Sequence, residues 1–145
     1  MSVEYEVIEE LLPHRKPFLF VDRLESVTEK QTVGVRHFSR DEYFFTGHFP
    51  DYPVVPGVVL VETMAQCGGA GLRQSGRLAK GSLFVLASVE KAKFRQQVKP
   101  DDTVTIVVDN LRISKQVVRQ SGKIFVGDTL AAEATWMCII SNTES

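Results

Sequence analysis

Residues 47–66 read Gly-His-Phe-Pro-Asp-Tyr-Pro-Val-Val-Pro-Gly-Val-Val-Leu-Val-Glu-Thr-Met-Ala-Gln, a histidine in a proline loop that opens onto an apolar run carrying one carboxylate. Pro50, Pro53 and Pro56 recur every third residue. Each fixes its own φ at about –65° and drives its predecessor toward extended backbone, so the loop holding His48 is stiff. Pro56 suits the first helical position, where a missing N–H costs nothing, and from Val58 through Ala70 the only breakers are Gly68 and Gly69. A helix starting near Pro56 follows. Its residues Val58, Val59, Leu60, Val61, Met64, Ala65, Cys67 and Ala70 leave no polar stripe for water, so the helix is expected to be buried.

Glu62 is the only acidic or basic residue between Asp51 and Arg73. A carboxylate is rarely buried without a partner or a use, and burial raises its pKa, so a protonated Glu62 at neutral pH is expected. The first N–H groups of a helix have no intrahelical acceptor, which makes the amides of Gly57 and Val58 a site for a developing oxyanion. Gly57 also has no side chain to block approach of a substrate carbonyl. Glu62 lies roughly 7.5 Å further along the axis. His48, the Gly57 and Val58 amides and Glu62 then supply a base, an electrophilic cradle and an acid, the parts needed for proton abstraction beside a carbonyl. Taken singly, a loop histidine reads as a hydrogen-bonded structural residue; the combination is what points to chemistry.

The segment Gly47-His48-Phe49-Pro50, Pro53, Pro56-Gly57-Val58, Glu62, Met64-Ala65-Gln66 resembles the active-site motif of the 3-hydroxyacyl-[acyl-carrier-protein] dehydratases of type II fatty-acid synthesis. The resemblance extends through Leu12-Pro13-His14-Arg15, Pro17-Phe18-Leu19 and Val21-Asp22-Arg23 to Glu133-Ala134-Thr135. A related dehydratase/isomerase branch carries Asp where this chain has Glu62, so the likeness is to the dehydratase-only branch. It implies an α+β hot-dog fold, an antiparallel sheet wrapped around one long helix. It also implies paired protomers, as a homodimer or a trimer of dimers, in which each site takes His48 from one chain and Glu62 from the other. The implied reaction is reversible dehydration of a (3R)-3-hydroxyacyl group on acyl carrier protein to the trans-2-enoyl form, with no cofactor, in the cytoplasm.

Read independently, the rest of the chain agrees with that fold class. At 145 residues, with ordinary apolar and charged fractions, it fits one domain, 1–145. Residues 3–12 suit a short amphipathic helix ending before Pro13, and Phe18–Val27 and Thr32–Phe38 read as strands around Thr28-Glu29-Lys30-Gln31. Strands are expected at Leu83–Val98, Thr103–Ile113, Gln116–Val126 and Thr129–Ile140, separated by Pro100-Asp101-Asp102, Ser114-Lys115 and the hairpin signal Gly127-Asp128. No helical period interrupts the last sixty or so residues, which selects an antiparallel sheet over a parallel one.

Alternation places Lys91, Lys93 and Arg95 on one strand face, where three cations could receive an acidic carrier protein or simply form a solvated surface. Arg73 and Arg77 either complement the negative end of the helix or flank a tunnel mouth. Phe84-Val85-Leu86-Ala87-Ser88 departs from the family's usual aromatics and glycine, and Asp101 stands where a glycine is common. His14 reads as a structural turn residue, and His37 as a strand-end residue without an acidic partner. No His/Cys/Asp/Glu spacing suggests a metal, and Cys67 and Cys138 read as small buried hydrophobes. A net charge of –1 gives no reason to expect nucleic acid, and no stretch is long enough to insert in a membrane. Residues 1–12 carry four glutamates and no basic residue, unlike a signal peptide. Two rival functions remain open: a hot-dog thioesterase, and a non-catalytic acyl-binding module.

Overall fold

The computed structural model describes residues 4–142. They form helix α1 (Ile8–Leu11), strands β1 (Arg23–Val27) and β2 (Gln31–His37), a 3-10 turn (Tyr43–Thr46), helix α2 (Gly57–Gln74) and strands β3 (Ser82–Phe94), β4 (Thr103–Ile113), β5 (Val117–Val126) and β6 (Thr129–Asn142). The strands make one six-stranded sheet in the order β1-β2-β4-β5-β6-β3, and every neighbouring pair is antiparallel. Alternation sets which face meets the core: Val104, Ile106 and Val108 of β4 are fully buried, while their odd-numbered neighbours are not. Gly127, with φ of 59°, supplies the left-handed residue of the β5–β6 turn.

Helix α2 touches all six strands, so the sheet wraps it as the α+β hot-dog arrangement requires. The close approach is made by missing side chains. A Cβ at Gly68 would fall 2.3 Å from the Gln120 amide, at Gly69 2.1 Å from the Phe84 ring and at Gly71 1.9 Å from Thr32 Oγ1. Each glycine costs about 1 kcal/mol of helix propensity relative to alanine, which burial of Met64, Cys67, Ala70 and Leu72 offsets. Thirteen residues of α2 are buried, but Val58 is 76% exposed, so the expectation of a helix buried on all sides fails at its first turn.

Local periodicity misplaced several boundaries where long-range hydrogen bonds decide the conformation. The first helix covers only Ile8–Leu11, because the Glu6 N–H donates to Gln74 Oε1 and the Tyr5 hydroxyl accepts from the Val27 N–H, holding the preceding backbone extended; residue 3 lies outside the described residues. Strand β1 begins at Arg23 rather than Phe18, because the backbone at Phe18 and Phe20 is taken by the buried Gln66 amide instead of a strand partner. Strand β3 ends at Phe94 rather than Val98; beyond it, the N–H groups of Arg95 and Gln96 both donate to the Ala131 carbonyl.

The Lys91/Lys93/Arg95 stripe also needs correction. The β3–β6 register shifts between Glu90 and Lys93, with Lys91 at φ of 53°, so simple alternation does not hold there. All three side chains remain exposed, and Arg95 pairs with Glu133 at 2.8 Å. Asp101 adopts φ of 70°, the left-handed region in which glycine is at ease and aspartate is tolerated. Its carboxylate meets Arg40 and lies 3.6 Å from His37 Nε2, so His37 does have an acidic neighbour. Arg73 donates to the Ser82 carbonyl and Arg77 to the Glu29 carbonyl, tying the end of α2 to flanking loops.

Candidate active site

The proline loop is pinned at both ends of its turn. The Val54 N–H donates to the His48 carbonyl at 2.9 Å, the His48 N–H donates to the Phe44 carbonyl at 2.9 Å, and the Val55 N–H donates to the Val98 carbonyl at 2.8 Å. The His48 ring is fixed as well: it stacks on Phe49 at 4.1 Å, and Nδ1 sits 3.0 Å from the Val54 carbonyl. A carbonyl can only accept, so the Nδ1 hydrogen is spoken for and the neutral ring presents a bare Nε2. That is the geometry of a positioned base.

His48 and Gly57 line one cavity of about 370 Å³, with Val54, Leu60, Phe94 and Arg95 among its walls. The N–H groups of Val59 and Leu60 return to the Pro56 carbonyl, which leaves the Gly57 and Val58 amides as the first-turn donors without an earlier helical acceptor. The Val58 side chain points to solvent and plays no part in the cavity wall. The missing side chain at Gly57 serves a neighbour that the sequence did not identify: a Cβ there would lie 3.0 Å from the Phe94 ring, which is itself 52% exposed. Gly57→Ala is expected to push that ring into the cavity, lowering kcat/KM roughly 10-fold with the thermal midpoint nearly unchanged. Steady-state kinetics beside a melting curve will check it.

Glu62 is not part of that cavity's wall. It sits one turn and more along α2, half-buried, where the Gln66 Nε2–H donates to its Oε2 at 2.9 Å and His14 Nε2 approaches the same oxygen to 3.6 Å. Burial pushes the Glu62 carboxyl above the usual carboxylate range, against the opposing pull of the Gln66 hydrogen bond. Burial, helped by the Arg15 charge, pushes His14 below its ordinary value. The Cys138 thiol on β6 is pushed up to about 12 by burial and by the Glu62 charge, which leaves it protonated and unreactive. A single chain therefore brings His48 and Gly57 together and holds Glu62 at a separate, acid-prepared position.

Sequence reading missed His14 and Gln66. Gln66 could have been found, since residues four apart on a helix share a face. His14 reaches Glu62 only through the tertiary path of the Pro13-His14-Arg15 turn, which no local pattern encodes. A second cavity, of about 390 Å³, is lined by Arg36, which is paired with Asp22 and Glu42, and by His37 and Asp41; neither His48 nor Glu62 lines it.

The family model for the FabA-like domain matches residues 12–135, a span that takes in His14, the proline loop and α2. The chain is 41% identical over 139 residues to the 3-hydroxyacyl-[acyl-carrier-protein] dehydratase FabZ of Desulforamulus reducens, covering 95% of this chain and 97% of the relative. It is 44% identical over 134 residues to the enzyme of the same name from Koribacter versatilis, covering 92% and 86%. Among solved structures, the dehydratase heterocomplex ApeI:P from Xenorhabdus doucetiae superposes with a TM-score of 0.82 at 19% identity, covering 97% of this chain and 94% of that one. A hypothetical thioesterase with coenzyme A from Streptococcus pneumoniae superposes with a TM-score of 0.60 at 14% identity, covering 85% and 88%, a likeness of fold alone. With a histidine in a pinned proline loop, an acid-prepared glutamate on the wrapped helix and this extent of sequence identity, the chain belongs to the FabA-like family.

Proposed function

We propose that the protein, as one hot-dog domain, dehydrates (3R)-3-hydroxyacyl groups carried on acyl carrier protein to trans-2-enoyl groups, reversibly and in the cytoplasm. The observation that carries the reading is the fixed His48 ring, whose Nδ1 hydrogen is held by Val54 and which lines one cavity with Gly57. Nε2 takes the C2 proton while the Gly57 N–H stabilises the charge growing on the thioester oxygen. Protonated Glu62 gives its proton to the C3 hydroxyl, which leaves as water. The cycle ends with His48 charged and Glu62 ionised, and return of one proton resets both.

This chemistry needs both residues at one substrate, and we assign them to two protomers. Strand β3 is a 13-residue edge of the sheet, and Leu83, Val85, Leu86, Val89 and Phe94 on it are exposed. A long apolar edge invites pairing with a second copy. A twofold β3–β3 junction would continue the sheet and bring Glu62 of the partner subunit toward the His48 cavity. Trimers of such dimers are a further level of the same assembly.

The test is incubation of the purified protein with a short trans-2-enoyl thioester on carrier protein, following enoyl absorbance and free thiol together. Absorbance loss without thiol release supports hydration/dehydration; thiol release assigns a thioesterase, and silence with a series of acyl lengths assigns a binding module.

Lys91, Lys93 and Arg95 are the proposed docking cations for the acidic carrier. Arg95 also lines the His48 cavity, so a carrier seated there would deliver its thioester to the base. Lys93→Glu combined with Arg95→Glu is expected to weaken carrier binding roughly 10-fold at low salt and to flatten its salt dependence, as read by titration at several ionic strengths.

A further inference from the structure

The Pro13-His14-Arg15 turn has no role in the reading above, yet it delivers an imidazole to the catalytic carboxyl. We propose that His14 is a positioning residue for Glu62: its uncharged ring flanks Oε2, the oxygen to which the Gln66 amide donates, and so leaves Oε1 as the oxygen that carries the transferable proton. The inference rests on the reading in which Glu62 is the acid.

The orientation of Gln66 is unambiguous. The Phe20 N–H must meet an oxygen, so Gln66 Oε1 accepts from it at 2.8 Å, and Nε2 is turned to donate to the Phe18 carbonyl at 3.1 Å and to Glu62 Oε2 at 2.9 Å. An amide nitrogen with both hydrogens donated cannot accept one, so the acid proton of Glu62 does not lie on Oε2 toward Gln66.

His14 bounds the same oxygen from the other side. Its Nε2 stands 3.6 Å from Oε2, a contact longer than a hydrogen bond, of the kind that shortens when a site closes on substrate. Its Nδ1 is buried and has no hydrogen-bond partner among the described residues. A stranded buried N–H is the rarer and costlier defect, so the ring hydrogen belongs on Nε2, facing the carboxyl, and Nδ1 is a bare acceptor. The Phe84 ring of β3 covers the imidazole at 5.6 Å.

The charge state of His14 follows from its neighbours. The Arg15 guanidinium donates to the carbonyls of Leu12, His14 and Glu9 at 2.8, 2.7 and 3.0 Å, which locks a positive charge beside the ring. That charge adds to burial in opposing protonation. An imidazolium at this position would favour the Glu62 carboxylate and abolish the acid. A further titratable neighbour of Glu62 is the Cys138 thiol of β6, which stays protonated, and in the proposed two-protomer site a second copy's catalytic imidazole would join them.

The experiment compares kcat against pH for the native protein, His14→Leu, His14→Gln, Arg15→Met and the His14→Gln/Arg15→Met double variant, with Glu62→Gln as reference. His14→Leu is expected to lose roughly 10-fold in kcat with little change in KM, and His14→Gln, which keeps an uncharged donor, to recover most of it. Arg15→Met is expected to move the acid limb to higher pH, and the double variant to lose that shift. Nitrogen-15 NMR of the imidazole is expected to show the neutral Nε2–H form at neutral pH. Native kcat and pH profile in His14→Leu, with Glu62→Gln inactive, would overturn the inference alone. A charged ring or an Nδ1–H tautomer would also overturn it, even if His14→Leu failed to fold. Activity retained in Glu62→Gln would remove the underlying reading instead.

Discussion

His48→Ala is expected to lower kcat by roughly 10²–10⁴-fold, with KM changed far less, because a positioned proton acceptor acts in the transition state and not in binding. The fold will tolerate the change. The loop keeps its backbone bonds from Val54, Val55 and His48 itself, and only the Nδ1 bond to the Val54 carbonyl and the stack on Phe49 are lost. That combination separates a catalytic from a structural role, since a structural histidine would reveal itself in the melting temperature first. A mixing experiment sharpens the result. If each site joins His48 of one chain to Glu62 of another, dimers re-formed from equal amounts of His48→Ala and Glu62→Gln contain one intact site in each mixed pair. About a quarter of native activity is then expected from two inactive parents, assuming random re-pairing. Sites complete within one chain would give no recovery.

The parts of this molecule legible in sequence are those fixed over a few residues. Prolines 50, 53 and 56 announced the stiff loop and the start of α2, which begins at Gly57, and Gly127-Asp128 announced the β5–β6 turn. Strand β4 falls on its expected bounds because Val104, Ile106 and Val108 alternate without a bulge inside the buried stretch. The misreadings share a cause in partners distant along the chain. Phe18 to Val21 has strand composition but gives its backbone to Gln66, some 46 residues away. Lys91 breaks the β3 alternation at a register shift that only the β6 pairing reveals. His14 looked like a turn residue because nothing within a few positions marks it as a neighbour of Glu62. His48 and Glu62 stood out as candidate base and acid by residue type and spacing, but the environment that tunes the Glu62 carboxyl is tertiary.

That environment sets the second large effect. Glu62→Gln preserves the side-chain shape but supplies no acidic proton, so kcat is expected to fall by roughly 10²–10⁴-fold while the melting temperature holds or rises. The stability direction follows from linkage. Burial raises the Glu62 pKa in the folded state above its unfolded value, so between the two the folded protein binds more protons than the unfolded chain. The slope of stability with pH is then negative. The contribution is fully present below the unfolded pKa and is lost as pH rises through the folded one. Glu62→Gln removes this dependence, so the native protein and the variant should differ most in melting temperature at alkaline pH. The rate carries the same sign: catalysis by the protonated acid falls as pH climbs through the raised Glu62 pKa. Removing the Gln66 donor, as in Gln66→Leu, raises that pKa further and should carry the alkaline limb of kcat to higher pH, even as the loss of a fixed carboxyl lowers the plateau. An alkaline limb that stays in place while the acid limb moves to higher pH would mean that the ionised form of Glu62 is the working one, as a base activating water requires, and the thioesterase chemistry would then fit this carboxylate better than the dehydratase.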